Sequence, residues 1–314
     1  MKILVDVPVT DAQLQRIRVA AGDAAVVVAT EREAMYREVR DASAIFGQFN
    51  AELFERGGLL GWVQTLGAGV DGLLFEDFAR SDIVLTSEKG YVGPHLAEQS
   101  FALLLAITRG VARAVRERTW ENKWSIRDEC WELTDKTLGI VGLGGTGREV
   151  ARRGAAFGMR CLAVDPEPVS KPEEVEAVWG MAGFHRLLND SDAVMICAPL
   201  TPATQGMFDD AAFGNMKATA ILINVTRGPI VDDAALVRAL RDKRIAAAGL
   251  DVTPVEPLPP DHPLWSMDNV VITPHVAGAS PLRMDRAVDL FCRNLRSFRA
   301  EQPLESVIDK RKGY

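Results

Sequence analysis

The stretch LGIVGLGGTGREVARRGAAFGMRCLAVDP, Leu138 to Pro166, decides how the rest of the chain is read. Leu138–Val141 is a short apolar run with the length of a buried strand. Gly142, Gly144 and Gly147 follow in the spacing Gly-x-Gly-x-x-Gly, and Arg148–Phe157 reads as a helix with small residues along one side. A second strand, Arg160–Val164, ends on Asp165. The glycines differ in what they permit. Gly142 allows the tight turn, Gly144 lets backbone approach a pyrophosphate, and Gly147 lets the helix pack close to the strand. The helix N-terminus turns unpaired N–H groups and a partial positive charge toward the phosphates. Asp165 lies about twenty residues beyond Gly144, where an acid meets a ribose 2′-OH. The glycine spacing alone occurs by chance in many sequences. Strand, helix, strand and terminal acid together predict a dinucleotide site. A carboxylate at Asp165 accepts from a free 2′-OH and repels a 2′-phosphate. Glu167 adds a second negative charge, and no Arg follows closely, so NAD is expected over NADP.

The bulk numbers set limits. At 314 residues the chain is comfortable for two domains, and 47% hydrophobic with 25% charged residues is ordinary for a globular protein. A net charge of −7 gives no electrostatic reason to bind nucleic acid or an anionic membrane. MKILVDVPV reads as a strand rather than a signal peptide. The longest helical apolar run, Phe101–Ile107, is too short to span a bilayer. Cys130, Cys161, Cys197 and Cys292 have neither metal-like nor redox-like spacing, and Cys161 and Cys197 fall inside apparent strands as small hydrophobes. A reducing cytoplasm without a bound metal is the expectation.

Outward from the central stretch, βα alternation continues in both directions. Before it, strands are predicted at Lys2–Val7, Ala24–Ala29, Ala44–Phe46, Trp62–Thr65 and Ile83–Thr86, with helices at Asp11–Ala20, Arg32–Val39 and Ala51–Arg56. Such alternation makes parallel sheets with helices on both faces, an α/β fold of two doubly wound domains. LGAGVDGL, Leu66–Leu73, is a glycine-rich turn after a strand; it reads either as an anion-binding turn or as a plain strand-to-helix turn. Gly93-Pro94 opens a long helix, Pro94 to Arg118, with Ala97, Phe101, Leu104, Leu105, Thr108 and Val115 near one face. An irregular polar segment, Thr119–Asp135, carries Trp120, Trp124 and Trp131, which read either as interface aromatics or as loop anchors.

After Asp165, strands are predicted at Ala193–Cys197, Ala220–Asn224, Ala246–Leu250 and Val270–Ile272, with helices such as Asp209–Asn215 and Asp232–Asp242. A last helix runs from near Ser280-Pro281 to Arg299, long enough to return to the first domain. The division is then residues 1–93 plus 282–314 for one domain and 94–281 for the dinucleotide-binding domain, with a reaction cleft expected between them.

Three later segments hold side chains suited to chemistry. INVTRGPIVD places Arg227 just past a strand, GLDVTPVEPLPPDHPLW places Asp251 at a strand end and Glu256 in a proline-rich loop, and VVITPHVAG places His275 after a strand. Arg offers a planar fork of donors for a carboxylate or a polarised carbonyl. His gives or takes a proton near neutral pH, and a Glu bonded to it fixes its tautomer. Taken singly, Arg227 reads as a surface ion-pair partner and Glu256 as a solvated loop residue. His185 and His262 read as structural or surface residues, and His95, in the first turn of the linker helix, as structural rather than substrate-binding.

Taken together, these residues resemble a known family. The motifs LGAGVDG, KTLGIVGLGGTGREVARRGAAFGMRCLAVDP, SDAVMICAPLTPATQGMF, MKATAILINVTRGPIVDDAALVRAL and GLDVTPVEPLPPDHPLWSMDNVVITPHVAG are similar to those of D-isomer-specific 2-hydroxyacid dehydrogenases. The resemblance implies a flavodoxin-like substrate domain and a Rossmann NAD-binding domain. It implies Arg227 as the group binding the substrate carboxylate and keto oxygen, His275 as acid or base, and Glu256 as its partner. The N–H groups of Ala68 and Gly69 would hold the carboxylate. NAD would lie against Gly144, Gly145 and Thr146, Asp165, Ala198-Pro199 with Thr204, Val225, Arg227 and Asp251, with His275 and Gly278 beside the nicotinamide. The family is usually dimeric, so a homodimer through the long helix and the Trp-bearing arm is implied.

Departures narrow the substrate. Phosphoglycerate dehydrogenases carry a basic residue where this chain has Thr65-Leu66, and no regulatory amino-acid-binding domain follows here. Formate dehydrogenases pair the His with Gln where Glu256 stands, and phosphite dehydrogenases place a Lys in the LGAGVDG region. LGAGVDGLL resembles glyoxylate and hydroxypyruvate reductases, many of which prefer NADP. The expectation is reduction of a small 2-oxo acid such as glyoxylate or hydroxypyruvate to its D-2-hydroxy acid. A short-form D-3-phosphoglycerate dehydrogenase and a non-catalytic, corepressor-like NAD(H) sensor are the alternatives.

Overall fold

The computed structural model describes residues 1–314. In chain order the first half runs β1 (Lys2–Asp6), α1 (Asp11–Ala21), β2 (Ala25–Val28), α2 (Arg32–Glu38), β3 (Ala44–Gly47), α3 (Ala51–Arg56), β4 (Trp62–Gln64), α4 (Glu76–Arg80), β5 (Val84–Thr86), α5 (Gly93–Thr108), α6 (Val111–Glu117) and α7 (Lys123–Glu129). The second half runs β6 (Thr137–Val141), α8 (Gly145–Ala156), β7 (Arg160–Val164), β8 (Val175–Trp179), α9 (Phe184–Asp190), β9 (Ala193–Ile196), α10 (Asp210–Asn215), β10 (Ile221–Asn224), α11 (Asp233–Arg241), β11 (Ala247–Leu250), β12 (Val270–Ile272) and α12 (Arg283–Arg299). The chain divides into two units, Met1–Val92 with Ala279–Tyr314, and Gly93–Gly278.

The first unit is a five-stranded parallel sheet in the order β2-β1-β3-β4-β5. Side chains alternate across it as strand pleating requires. Ile3 and Val5 pack on one face with Ile17, Phe46, Trp62, Phe291 and Leu295, while Leu4 packs on the other with Val39, Ile45, Val63, Phe78 and Leu85. Helices therefore cover both faces, as a parallel sheet demands. Phe291 of α12 stacks on Phe46 and Trp62 at centroid distances of 4.4 and 4.9 Å, which fixes the final helix to this sheet. Val307 bridges antiparallel to Thr86, so the tail pairs along β5. Local chemistry sets the helix starts: Thr10 and Gln13 form a reciprocal capping box on α1, and Asn50 caps α3.

The second unit is a seven-stranded parallel sheet in the order β12-β11-β10-β9-β6-β7-β8. Its strand order reverses between β6 and β9, with Gly139 level with Val194. In an open sheet this reversal leaves a crevice beyond the carboxyl ends of the two strands, the place for a ligand. Asp209 and Asp232 cap α10 and α11 through their carboxylates. Cys161 is buried, and that burial pushes its thiol up to about 11. No helix is long and apolar enough to cross a membrane.

Four local expectations need correction. The helix predicted to run unbroken from Pro94 to Arg118 ends at Thr108 and restarts at Val111. Gly110 turns the chain with φ +67°, and a Cβ there would lie 2.5 Å from Ile126. The break rotates Val115 off the buried face, leaving it 63% exposed. The segment expected to be irregular contains α7, and of its three tryptophans Trp131 packs on the core while Trp120 is 87% exposed. α8 starts at Gly145, three residues before the predicted Arg148, because glycines hide a helical turn from a propensity reading. β8, α4 and α9 have no counterpart among the predicted elements. β8 is an edge strand with a register shift near Cys161, and the two helices are short.

Candidate active site

The dinucleotide cradle is built by close backbone approaches in the second unit. Gly142 leaves β6 with φ +95°, and a Cβ on it would come within 2.9 Å of the Ala198 nitrogen. A Cβ on Gly147 would come within 2.1 Å of the Gly142 oxygen, so the first turn of α8 rests directly on the strand end. Gly144 caps α8 and faces open space, with nothing within 4 Å of a Cβ placed there. That is the arrangement a pyrophosphate needs: bare backbone at a helix N-terminus, with Gly145 and Thr146 as the first helical residues.

Asp165 receives the N–H of Leu143 at 2.7 Å on one carboxylate oxygen and that of Glu167 at 2.9 Å on the other. These bonds hold the acid against the glycine turn, and each oxygen keeps a further lone pair for a ribose hydroxyl. Ala198 and Pro199 follow β9, and the Thr204 hydroxyl donates to Pro199 O at 2.7 Å while accepting from Thr201 N at 2.8 Å. Thr204 thus shapes the loop that borders the crevice. The Val225 side chain is buried in the core, so only its backbone is available to a ligand.

Arg227, Asp251, Glu256 and His275 follow three neighbouring strands, β10, β11 and β12, and so share one edge of the sheet. The loop bearing Arg227 is set by buried Asn224, whose amide donates to Arg227 O at 2.9 Å and whose oxygen accepts from Thr226 N at 3.1 Å. Gly228 lies so close to Thr253 that a Cβ would fall 1.9 Å from its carbonyl oxygen. This contact joins the Arg227 loop to the loop bearing Glu256. The Arg227 guanidinium is half-buried and donates to Thr226 O at 2.9 Å.

Glu256 uses both oxygens. One accepts from Thr253 N at 3.0 Å, and the other meets His275 Nδ1 at 2.7 Å. A carboxylate only accepts, so the proton of neutral His275 sits on Nδ1 and Nε2 is left for proton transfer. His275 itself has φ +52°, a left-handed backbone that costs a non-glycine residue about 1 kcal/mol. Asp251 holds it there. Its carboxylate, in a residue 1% exposed, accepts from Thr273 Oγ1 at 2.5 Å, Val276 N at 3.0 Å and Ala277 N at 2.8 Å. Gln99 of α5 donates to Thr273 Oγ1 at 2.9 Å and extends the network into the helix. Gly278 follows Ala277 as the last residue of this unit.

Ala68 and Gly69 lie in the first unit, in the loop after β4. Gly67 turns that loop with φ +96°, its N–H donating to Glu88 Oε2 at 2.5 Å and its carbonyl accepting from Glu88 N at 3.0 Å. His95 is buried in α5 and His185 is exposed on α9. His262 Nε2 pairs with Asp233 at 2.8 Å while Nδ1 accepts from Leu264 N at 3.3 Å, a structural cap. Asn224, Thr273, Gln99 and Glu88 escape a reading of the sequence, since a lone amide, hydroxyl or carboxylate carries no spacing signal.

Comparison with known proteins agrees with this geometry. Residues 101–277 match the family model described as D-isomer specific 2-hydroxyacid dehydrogenase, NAD binding domain. The chain is 37% identical over 278 residues to a glyoxylate reductase of Korarchaeum cryptofilum, covering 85% of this chain and 83% of that protein. It is 36% identical over 287 residues to a D-3-phosphoglycerate dehydrogenase of Archaeoglobus fulgidus, covering 89% of this chain and 54% of that protein. Among solved structures, a D-isomer specific 2-hydroxyacid dehydrogenase from Xanthobacter autotrophicus in complex with NADPH and MES aligns with a TM-score of 0.83 at 28% identity, covering 100% and 99% of the two chains. The chain thus belongs to the D-isomer specific 2-hydroxyacid dehydrogenases, oxidoreductases that work with a nicotinamide dinucleotide.

Proposed function

We propose that the protein reduces a small 2-oxo acid, glyoxylate or hydroxypyruvate, to the corresponding D-2-hydroxy acid. The observation that carries this reading is the 2.7 Å contact between His275 Nδ1 and Glu256, which leaves Nε2 as the nitrogen that exchanges a proton with the substrate. The dinucleotide, when bound, supplies the hydride that bonds to C2. Arg227 binds the carboxylate and polarises the keto oxygen, and the backbone N–H groups of Ala68 and Gly69 hold the carboxylate. As the carbon–oxygen π pair moves onto oxygen, the imidazolium form of His275 delivers its Nε2 proton there and is left neutral, with the remaining proton on Nδ1 toward Glu256. In oxidation the same nitrogen takes the proton back.

Gly142, Gly144, Gly145, Thr146 and Gly147 would hold the cofactor's phosphates, and Asp165 would accept from its adenosine ribose. Ala198, Pro199 and Thr204 would border it, Val225 and Asp251 would meet it through the strand-end loops, and Arg227, His275 and Gly278 would serve its reactive end. NAD is preferred over NADP because the Asp165 carboxylate repels a 2′-phosphate. The protein is a homodimer in a reducing cytoplasm. Val111, Val115, Trp120 and Trp124 expose an apolar surface along α6 and α7 suited to a second copy, and all four cysteines are free thiols.

One experiment tests the whole reading: initial rates with glyoxylate, hydroxypyruvate and, in the oxidative direction, 3-phosphoglycerate, each with both cofactors. Turnover of the first two with NADH supports it. Selective turnover of 3-phosphoglycerate would make the chain a short phosphoglycerate dehydrogenase. NADH binding without any turnover would make it a sensor.

A further inference from the structure

Beneath the loop Leu66–Leu73 lies an ion pair that the mechanism above does not use. Glu88, 2% exposed by side chain, accepts Gly67 N–H at 2.5 Å on Oε2, and the same oxygen accepts from Arg283 Nε at 3.0 Å and forms an ion pair with Nη2 at 2.9 Å. All these residues belong to the first unit. The charge of a buried carboxylate needs such a partner, and removing either member would leave the other uncompensated. The pair therefore fixes the loop from below: Gly67 is held through both its N–H and its carbonyl, which sets the direction of the next peptide groups, those of Ala68 and Gly69.

Arg283 has capacity beyond this. A guanidinium carries five N–H donors, and here the one on Nε bonds to Glu88, with Nη2 in ion-pair contact with the same oxygen. The two on Nη1 have no acceptor in the protein, and the side chain is 35% exposed. The guanidinium sits beside the turn itself, with Nη2 3.7 Å from the position a Gly67 side chain would occupy. A fixed cation with spare donors thus stands next to the backbone that receives the substrate carboxylate.

We infer that Arg283 is a specificity-determining residue of this enzyme, reading an oxygen on the third carbon of the 2-oxo acid, with Glu88 as its positioning residue. The inference rests on the 2-oxo acid reading above and names the substrate class within it. Acids with an oxygenated third carbon, such as hydroxypyruvate, gain a charge-assisted hydrogen bond that glyoxylate, which has no third carbon, cannot make. The hydroxyl oxygen accepts and the guanidinium donates.

The test uses the full chain with saturating cofactor and compares kcat/KM for hydroxypyruvate and glyoxylate. Arg283→Gln lowers the hydroxypyruvate value about 10- to 100-fold more than the glyoxylate value, chiefly through KM, the size expected for one hydrogen bond to a charged group. Arg283→Lys restores part of the preference, because an ammonium still donates. Glu88→Gln keeps an acceptor for Gly67 but frees the guanidinium, and shifts the ratio in the same direction by less. Equal losses on both acids, or an unchanged ratio in all three variants, overturn the inference alone. A wild-type chain that turns over neither acid overturns the functional reading, and the inference with it.

Discussion

The N–H of His275 donates to the carbonyl oxygen of Asp251 at 2.8 Å, while the Asp251 carboxylate receives the N–H groups of the two residues that follow the histidine. One buried aspartate therefore pins the left-handed backbone of the histidine from both sides. A strained residue persists only where its surroundings over-determine it, and here the surroundings are Asp251 and Thr273. Asp251→Asn replaces one acceptor oxygen by a donor amide facing N–H groups. The expected loss is about 1–3 kcal/mol of stability and about 10- to 100-fold in kcat, since a small misplacement of the acid costs that much. Thermal melting and steady-state rates check both, and near wild-type values would show that the loop needs no such pin.

Gly228 offers a steric test of how the site is joined. A Cβ at 1.9 Å from Thr253 O cannot be accommodated without moving backbone. Gly228→Ala should therefore push the Arg227 loop from the Glu256 loop, raising KM for the 2-oxo acid about tenfold or more while NADH affinity changes less. NADH fluorescence titration beside initial rates separates the two. An unchanged KM would mean the loops are not coupled through this contact.

Cofactor choice is the third test. Asp165 is held against the glycine turn by Leu143 and Glu167 N–H groups, so its charge is fixed where the proposal puts the ribose. Asp165→Ser removes the charge that repels a 2′-phosphate and should shift the NADH-to-NADPH ratio of kcat/KM by at least about tenfold toward NADPH, one unpaired charge being worth more than about 1.4 kcal/mol at such a site. A wild-type chain that already favours NADPH would contradict the assigned role.

Asp192 gives a pH test away from the chemistry. Burial pushes its carboxyl up, but Lys217 Nζ at 2.8 Å, Thr137 N–H at 2.8 Å and the charges of Lys217 and Lys136 outweigh that and hold it below the usual range. A carboxyl depressed in the folded state stabilises above its unfolded value and loses that contribution as pH falls through the folded value. Asp192→Asn should cost about 1–2 kcal/mol at neutral pH, with the difference from wild type fading as pH falls below about 4. Melting curves across pH read this directly. A constant difference would show that the charge contributes nothing.

The residues themselves make much of this readable without coordinates. The alternation of apolar runs with amphipathic ones carries both parallel sheets, because burial on two faces leaves little choice of residue in a central strand. Gly142 and Gly147 are readable because only glycine meets their steric demands, and Gly144 because it completes the spacing and leaves bare backbone at the helix start. The failures have one cause each. Gly110 interrupts an otherwise continuous helical pattern, and a single glycine inside such a pattern is usually tolerated. β8 lies at a sheet edge and carries Glu176 opposite Arg160, so it lacks the apolar signature of a central strand. Arg227, Glu256 and His275 are individually unremarkable and become a set only through the resemblance, since their proximity depends on the order of β10, β11 and β12 in the sheet. Asn224, Asp251's role toward His275, and Glu88 under Gly67 are positional, and position across a fold leaves no mark on local sequence.

The central claim is that His275, oriented by Glu256, moves the proton. Its most direct measurement is turnover against NADH affinity in His275→Gln, with pH profiles of the wild type in both directions. The prediction is a fall in kcat of at least about 100-fold with NADH binding altered less than about threefold, while wild-type reduction declines and oxidation rises as pH increases. Equal loss of turnover and NADH binding, or a variant that reduces 2-oxo acids at the wild-type rate, would contradict it.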